Sequence, residues 1–273
     1  FEELIDRKTI RYKNREIDKI FNLKECKNCN HKFLSKFPKE EFLNELYRNN
    51  SKYVFGHDPN EEIEKNKFKN SGFKEISSLK NHWIFNYLDL DTKGEYLEIG
   101  PGLCKLYKSF YLKNWICEGI ELQPFIKAPG IVNNFEHIKN NSKDIVVALD
   151  VIEHTINPIK FLNNINTKLK KNGKLFLTFP NSDSFKSKLL NNKWDMVVPL
   201  AHINFFSKKS IEISLKKTNF SLIYIKNYSL ANPKRLAKNF LKLPFKLLKD
   251  LLFFNFNNFS LRIKEFIICF LDI

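Results

Sequence analysis

Short apolar runs separated by amphipathic stretches dominate the middle of the chain. Tyr96–Ile99, Trp115–Ile120, Asp144–Leu149 and Lys174–Phe179 are too short for buried helices and are bounded by Gly, Asn or acidic residues, which predicts strands. Ile145-Val-Val-Ala148 is aliphatic or small at every position, the pattern of a strand covered on both faces. Ile131 to Ile138 is the poorly marked place for a strand between the second and third of these. Lys105 to Leu112 reads as a helix, and Pro158 opens another over Ile159 to Leu169, stopped by Asn172-Gly173. This alternation with short connections predicts an α/β domain with a parallel, doubly wound sheet.

On the N-terminal side, residues 1 to 25 are charged and only weakly periodic. Pro38 to Tyr47 reads as a helix start, residues 56 to 72 as a polar loop, and Phe73 to Tyr87 as an amphipathic helix. On the C-terminal side, Lys208 to Lys217 is a predicted helix and the alternation over Phe220 to Tyr228 a sixth strand. Asn232 to Phe254 interleaves Leu236, Phe240, Leu243 and Leu247 with Lys238, Lys242 and Lys246, with Pro244 as a kink. Such a helix docks on a membrane surface or covers the domain's own apolar face. The expected division is an N-terminal extension over 1–72, a central domain over 73–230 and a basic amphipathic extension over 231–273.

Charge changes this picture little. Lys+Arg of 46 against Asp+Glu of 30 gives +16 over 273 residues, which ordinarily suggests an anionic partner. Lys, Asn, Ile and Phe are instead enriched together along the whole chain with no Arg-rich block, so nucleic acid is not the expected partner. Cys26, Cys29, Cys104, Cys117 and Cys269 have no disulfide-framework spacing, and a reducing cytoplasm is expected. No signal peptide is visible, and the longest uncharged apolar run, Phe266 to Leu271, falls far short of the roughly 20 residues of a spanning helix. The chain opens on Phe1 and its only Met is Met196, which leads us to expect further residues before Phe1. Cys26-Lys-Asn-Cys29 is half of a zinc knuckle with only His31 near, so no loaded metal site is expected.

The candidate chemistry begins at Glu98-Ile-Gly100-Pro-Gly102-Leu-Cys104. Glycines between a strand and a helix let backbone approach a ligand. An acid at the mouth of that loop repels phosphate and suits a ligand that offers a cation or hydroxyls. Glu121 ends the second strand, 23 residues after Glu98, where an acid hydrogen-bonds both hydroxyls of an adenosine ribose. Together these features point to S-adenosylmethionine, with its sulfonium, amino group and ribose diol.

Glu98-x-Gly100-x-Gly102, Glu121, Asp144-to-His154 and Asn172-Gly173-Lys174-Leu-Phe-Leu resemble the successive motifs of class I S-adenosylmethionine-dependent methyltransferases. His202-Ile-Asn-Phe-Phe-Ser207 and Phe220-Ser-Leu-Ile resemble the tail of the Methyltransf_23 branch, some members of which carry a Cys-x-x-Cys lead. The resemblance implies a Rossmann-like, mostly parallel sheet with helical N- and C-terminal extensions. It implies Glu98 by the methionine end, Gly100 and Gly102 against the cofactor, Glu121 on the ribose and Asp150 beside the transferred methyl. A third glycine is common where Cys104 stands. For the acid that holds the adenine amino group, Asn134 is the nearest match and Glu136 the next.

Methyl transfer is an in-line displacement, with a base only where the nucleophile must lose a proton. His154 and His202 are placed for that role, and each also suits a capping or hydrogen-bonding role. The expected acceptor is a small molecule, a sugar of surface polysaccharide or a quinone-like metabolite. A non-catalytic binding protein of the same fold stays open. So does a dinucleotide-dependent oxidoreductase, although that would want glycine at Lys105 and no acid at Glu98.

Overall fold

The computed structural model describes residues 2–12, 15–35, 39, 41, 43, 73–80, 82–122, 124, 126–191, 194–198 and 201–227. The expected helix over 38–47 lies almost wholly outside them, and the basic segment over 232–254 wholly so. The chain divides into two units, residues 1–180 with 196–222, and residues 181–195 with 223–273.

The first unit holds two sheets. Strands β4 (Glu95–Ile99), β5 (Ile116–Ile120), β6 (Ile131–Val132), β7 (Lys143–Leu149) and β8 (Leu169–Thr178) form a parallel sheet in the order β6-β5-β4-β7-β8. That is the doubly wound architecture the alternation implies, and its order reverses direction between β4 and β7. Helices α1 (Lys105–Tyr111) and α2 (Pro158–Lys168) make two of the crossovers. Leu97, Val146, Val147 and Ala148 are fully buried, which explains the unbroken aliphatic run in β7. Beneath the loop after β4, Tyr96 stacks on Phe110 with ring centroids 3.9 Å apart, and Tyr107, Trp115 and Ile84 complete that core.

The second sheet is antiparallel: β1 (Glu2–Tyr12), β2 (Arg15–Glu25), β3 (Lys32–Leu34) and β9 (Asn204–Phe205). Residues 2–34 are thus a hairpin and a short strand where a helical extension is expected. Strand pairing imposes no helical period, so the charged hairpin carries little signal. Helix α4 (Lys208–Lys217) follows β9 and begins at a reciprocal Ser207–Ser210 capping box.

Two further expectations fail. Phe73–Tyr87 is not one helix but two 3-10 turns, Phe73–Glu75 and Trp83–Asn86. Phe73, Ile76 and Ile84 are buried and Leu79 and Trp83 partly so, as the period suggests, whereas Tyr87 is exposed; yet α1 captures the backbone: Lys108 Nζ donates to Phe73 O, and Ser109 Oγ bonds both Leu79 N–H and Leu79 O. The alternating segment 220–228 forms no strand over its described residues, 220–227, and belongs to neither described sheet. In the second unit, α3 (Phe185–Leu190) is capped by Ser184, and Asn181 Nδ2 donates to Asn227 Oδ1 at 3.1 Å.

Candidate active site

The chain leaves β4 through Gly100 (φ +68°) and Gly102 (φ +49°), both left-handed. A Cβ on Gly100 would lie 2.9 Å from Val151 Cγ2, whereas one on Gly102 would meet nothing within 4 Å. Packing therefore demands the first glycine, and open space adjoins the second, where a ligand can approach the main chain. Cys104 is left-handed as well (φ 55°, ψ 23°), which accounts for the glycine common at this position. Its side chain is 1% exposed and belongs to the core with Tyr96, Tyr107 and Phe110. Burial, with the Glu98 and Glu121 carboxylates nearby, pushes its thiol up to about 12.

Glu98 is buried in β4 and accepts a hydrogen bond from the Tyr96 hydroxyl at 2.8 Å. Burial is the main cause that raises its carboxyl to about 8; the Tyr96 bond opposes that shift and the charge of Glu121 adds to it. Glu121 directly follows β5, and its carboxylate accepts from Gly102 N–H at 3.4 Å. Two acids thus flank one glycine turn at the carboxyl ends of neighbouring parallel strands, where ligands of open α/β sheets bind. A cleft of about 370 Å³ lined by Tyr87, Trp115, Asp144 and Lys174 lies at the opposite, amino ends of the strands. It contains none of the expected site residues.

Asp150 (φ 53°) ends β7 at the same carboxyl edge, next in the sheet to β4. Its N–H donates to Thr178 Oγ1 at 3.0 Å, and its carboxylate accepts from that hydroxyl at 2.9 Å, which ties the tip of β7 to that of β8. Asn134 caps the 3-10 turn Phe135–His137, its side-chain oxygen accepting from Glu136 N–H at 3.0 Å. His154 and His202, 48 positions apart in sequence, come together with ring centroids 4.8 Å apart. His154 Nδ1 donates to Ala201 O at 2.7 Å and His202 Nδ1 to Met196 O at 2.6 Å. Burial, then the neighbouring His202, lowers His154 to about 3, so its imidazole is neutral.

Three residues escaped the sequence reading. Tyr96 orients Glu98, Thr178 orients Asp150, and Glu153 lies beside the histidine pair. Only Glu153 left a signal, an acid enclosed by Val151-Ile152 and His154 just past a buried strand. His31, the third candidate ligand of the Cys26/Cys29 turn, bonds Asn204 Oδ1 through Nε2 at 3.1 Å and packs on Phe206.

The open face of Gly102, the desolvated acid at Glu98 and the ribose-type acid at Glu121 fit S-adenosylmethionine, and a pyrophosphate would meet two carboxylates there. The Methyltransferase domain family, Methyltransf_23, matches residues 39–225, more than half of the chain. An uncharacterized protein of Methanocaldococcus jannaschii is 28% identical over 154 residues, 55% of this chain and 71% of that protein. A second from the same organism is 34% identical over 109 residues, 40% of this chain and 41% of that protein, so the matched part spans less than half of it. A solved structure of Haemonchus contortus phosphoethanolamine N-methyltransferase 2 in complex with S-adenosyl-L-methionine aligns at TM-score 0.48 and 18% identity. The alignment covers 87% of this chain and 55% of that one. The chain belongs to the Methyltransf_23 family, within the class I S-adenosylmethionine-dependent methyltransferases.

Proposed function

We propose that this chain transfers a methyl group from S-adenosylmethionine to a small-molecule acceptor, a sugar of a surface polysaccharide or a quinone-like ring. The observation that carries the reading is the pairing of Glu98 and Glu121 across the Gly100–Gly102 turn. When bound, S-adenosylmethionine supplies an electrophilic methyl on a sulfonium that becomes a neutral thioether on transfer. Glu98 faces the cationic methionine end, its carboxyl ionising as a positive charge replaces lost solvation. Glu121 accepts from the ribose hydroxyls, and Gly102 leaves its main chain open to the cofactor. Asp150 lines the pocket beside the methyl.

The acceptor side falls to His154 and His202. Each is held through Nδ1 by a main-chain carbonyl, which in a neutral ring leaves the lone pair on Nε2, and the role read for the pair is to take the proton of an acceptor hydroxyl. The seating of Cys104 in the core supports a loop that keeps its shape with three left-handed residues. Among the described residues no helix is long and apolar enough to cross a membrane. A cytoplasmic site of action and a peripheral membrane contact through 232–254 remain parts of this proposal.

Thermal shift and calorimetry with S-adenosylmethionine, S-adenosylhomocysteine and NAD test it. Stabilisation by the first two supports the reading, a response to NAD alone overturns it, and silence with all three favours a non-catalytic protein. Mass spectrometry of products from nucleotide-sugar and quinone-precursor pools then identifies the acceptor. His202→Ala is expected to abolish turnover and leave S-adenosylmethionine affinity intact.

A further inference from the structure

The loop after β7 and the segment before β9 bring together three side chains that can hold a metal ion. One ligand atom from each of Glu153, His154 and His202 lies within 4.8 Å of the others, and His154 Nε2 is 4.0 Å from Glu153 Oε1. Main-chain bonds hold the two segments in register: Ile203 N–H donates to Glu153 O at 3.0 Å, and Asn204 Nδ2 donates to Thr155 O at 2.6 Å.

Two independent observations point to a cation there. Glu153 is 1% exposed, and neither of its carboxyl oxygens has a hydrogen-bond partner. An orphaned buried polar group costs about 1–3 kcal/mol, more for a charged one, and native structures complete such groups with a partner. Both histidines also donate Nδ1–H to main-chain carbonyls, Ala201 O and Met196 O. A carbonyl can only accept, so each Nδ1 carries the proton of that bond, and in a neutral ring the lone pair falls on Nε2, the outer-shell arrangement of metal-ligating histidines.

We propose that Glu153, His154 and His202 bind one divalent transition-metal ion through a carboxylate oxygen and two Nε2 atoms. Two imidazoles and a carboxylate suit Zn²⁺, Fe²⁺ or Co²⁺ rather than Ca²⁺ or Mg²⁺. Ligand atoms on one tetrahedral zinc sit about 3.3 Å apart, so the set, within 4.8 Å at present, has to close by up to roughly 1.5 Å. Three protein ligands leave a position for a water or an acceptor oxygen. The catalytic consequence rests on the methyl-transfer reading: an acceptor hydroxyl on the ion would release its proton to solvent near neutral pH and present its oxygen to the methyl. His154 and His202 then act as ligands, not as bases.

Metal binding is measured without reference to turnover. The chain is stripped with a chelator, dialysed, and titrated with Co²⁺ while its visible d–d absorption is followed; Zn²⁺ stoichiometry is read by elemental analysis after equilibrium dialysis. One ion per chain is expected, with affinity falling at least tenfold in Glu153→Gln and in His202→Ala, and unchanged in the Cys26→Ser/Cys29→Ser double variant. Glu153→Gln keeps the side-chain shape and removes a buried acid, so it is expected to fold. Zn²⁺ should raise the melting temperature of the wild type and leave that of Glu153→Gln unmoved. No stoichiometric ion in the wild type, equal affinity in both site variants, or loss of the ion only with the cysteine pair would each overturn the assignment. S-adenosylmethionine binding measured in parallel separates these outcomes from failure of the methyltransferase reading.

Discussion

Tyr96 and Glu98 leave β4 two residues apart on the same face, and the tyrosine hydroxyl donates to Glu98 Oε2 at 2.8 Å inside the core. The bond stabilises the carboxylate, yet desolvation dominates and raises Glu98 to about 8. The unfolded chain gives up this proton near the ordinary value of 4.5, so the folded state holds one proton more between that pH and about 8. Stability from this group is complete below the unfolded value and declines as pH rises through about 8. The slope approaches ~1.4 kcal/mol per pH unit in the middle of the window. Denaturant titrations from pH 5 to 9 are expected to show this decline, and Glu98→Gln to flatten it.

Binding has the opposite slope. A cationic ligand prefers the ionised carboxylate, so affinity for S-adenosylmethionine should rise with pH up to about 8 and binding should release a proton below it. Calorimetry in buffers of different ionisation enthalpy reads that proton. Tyr96→Phe removes the side-chain donor to Glu98, leaving the main-chain bond from Tyr107, and should weaken binding while lowering stability by about 1–3 kcal/mol. A pH-independent affinity, or a Tyr96→Phe variant that binds as tightly as wild type, contradicts the placement of Glu98 at the cationic end.

The two glycines of the turn should respond differently to Ala. At Gly100 the new methyl meets Val151 at 2.9 Å in a left-handed backbone, so stability should fall by about 2 kcal/mol. At Gly102 it meets nothing, and the cost is the roughly 1 kcal/mol of the left-handed conformation alone. The Gly102 methyl occupies the open side of the loop, so this variant should lose more cofactor affinity than stability. Equal affinity in Gly102→Ala and wild type would place the cofactor elsewhere.

Cys104 is expected to be chemically silent. Its thiol is buried and raised to about 12, whereas main-chain donors around Cys29 and Asn28 lower Cys26. With a thiol-reactive chromophore at neutral pH, Cys26 should react first and Cys104 only on unfolding. Cys104→Val puts a β-branched residue at φ 55° and should destabilise by about 2 kcal/mol or more; Cys104→Gly relieves the backbone and loses buried contacts of similar size. Rapid labelling of Cys104 in the native state would mean that the loop opens.

Local signals made the central sheet and half of the site legible. The aliphatic run of β7, the Gly100–Gly102 turn and the acid after β5 each declare themselves within a few residues, because strand burial and tight turns constrain neighbours in sequence. What stayed hidden depends on partners distant in the chain. Phe73–Tyr87 has a helical period, but Lys108 and Ser109 of α1 hold its backbone in separate turns. The 220–228 segment alternates and lacks a partner among the described strands over 220–227. Glu153 gains meaning only when His202, 49 positions later, folds beside it. No window of sequence contains that meeting.

Lys143 separates what holds the fold from what binds. Its ammonium, 1% exposed at the amino end of β7, pairs with Glu95 at 2.8 Å and with Glu118 across β4. Glu98 and Glu121 stand toward the other end of the same strands, so the two clusters divide the sheet between them. Lys143→Ala leaves two partly buried carboxylates facing each other without a cation, and removal of one side of such a pair costs about 3–5 kcal/mol when buried. Both carboxylates remain partly exposed, so about 2–3 kcal/mol is expected here. Affinity for S-adenosylmethionine, measured where the variant is still folded, should stay within twofold of wild type. A large loss of affinity without loss of stability would put the ligand at the amino ends of the strands, against the site assigned to Glu98 and Glu121.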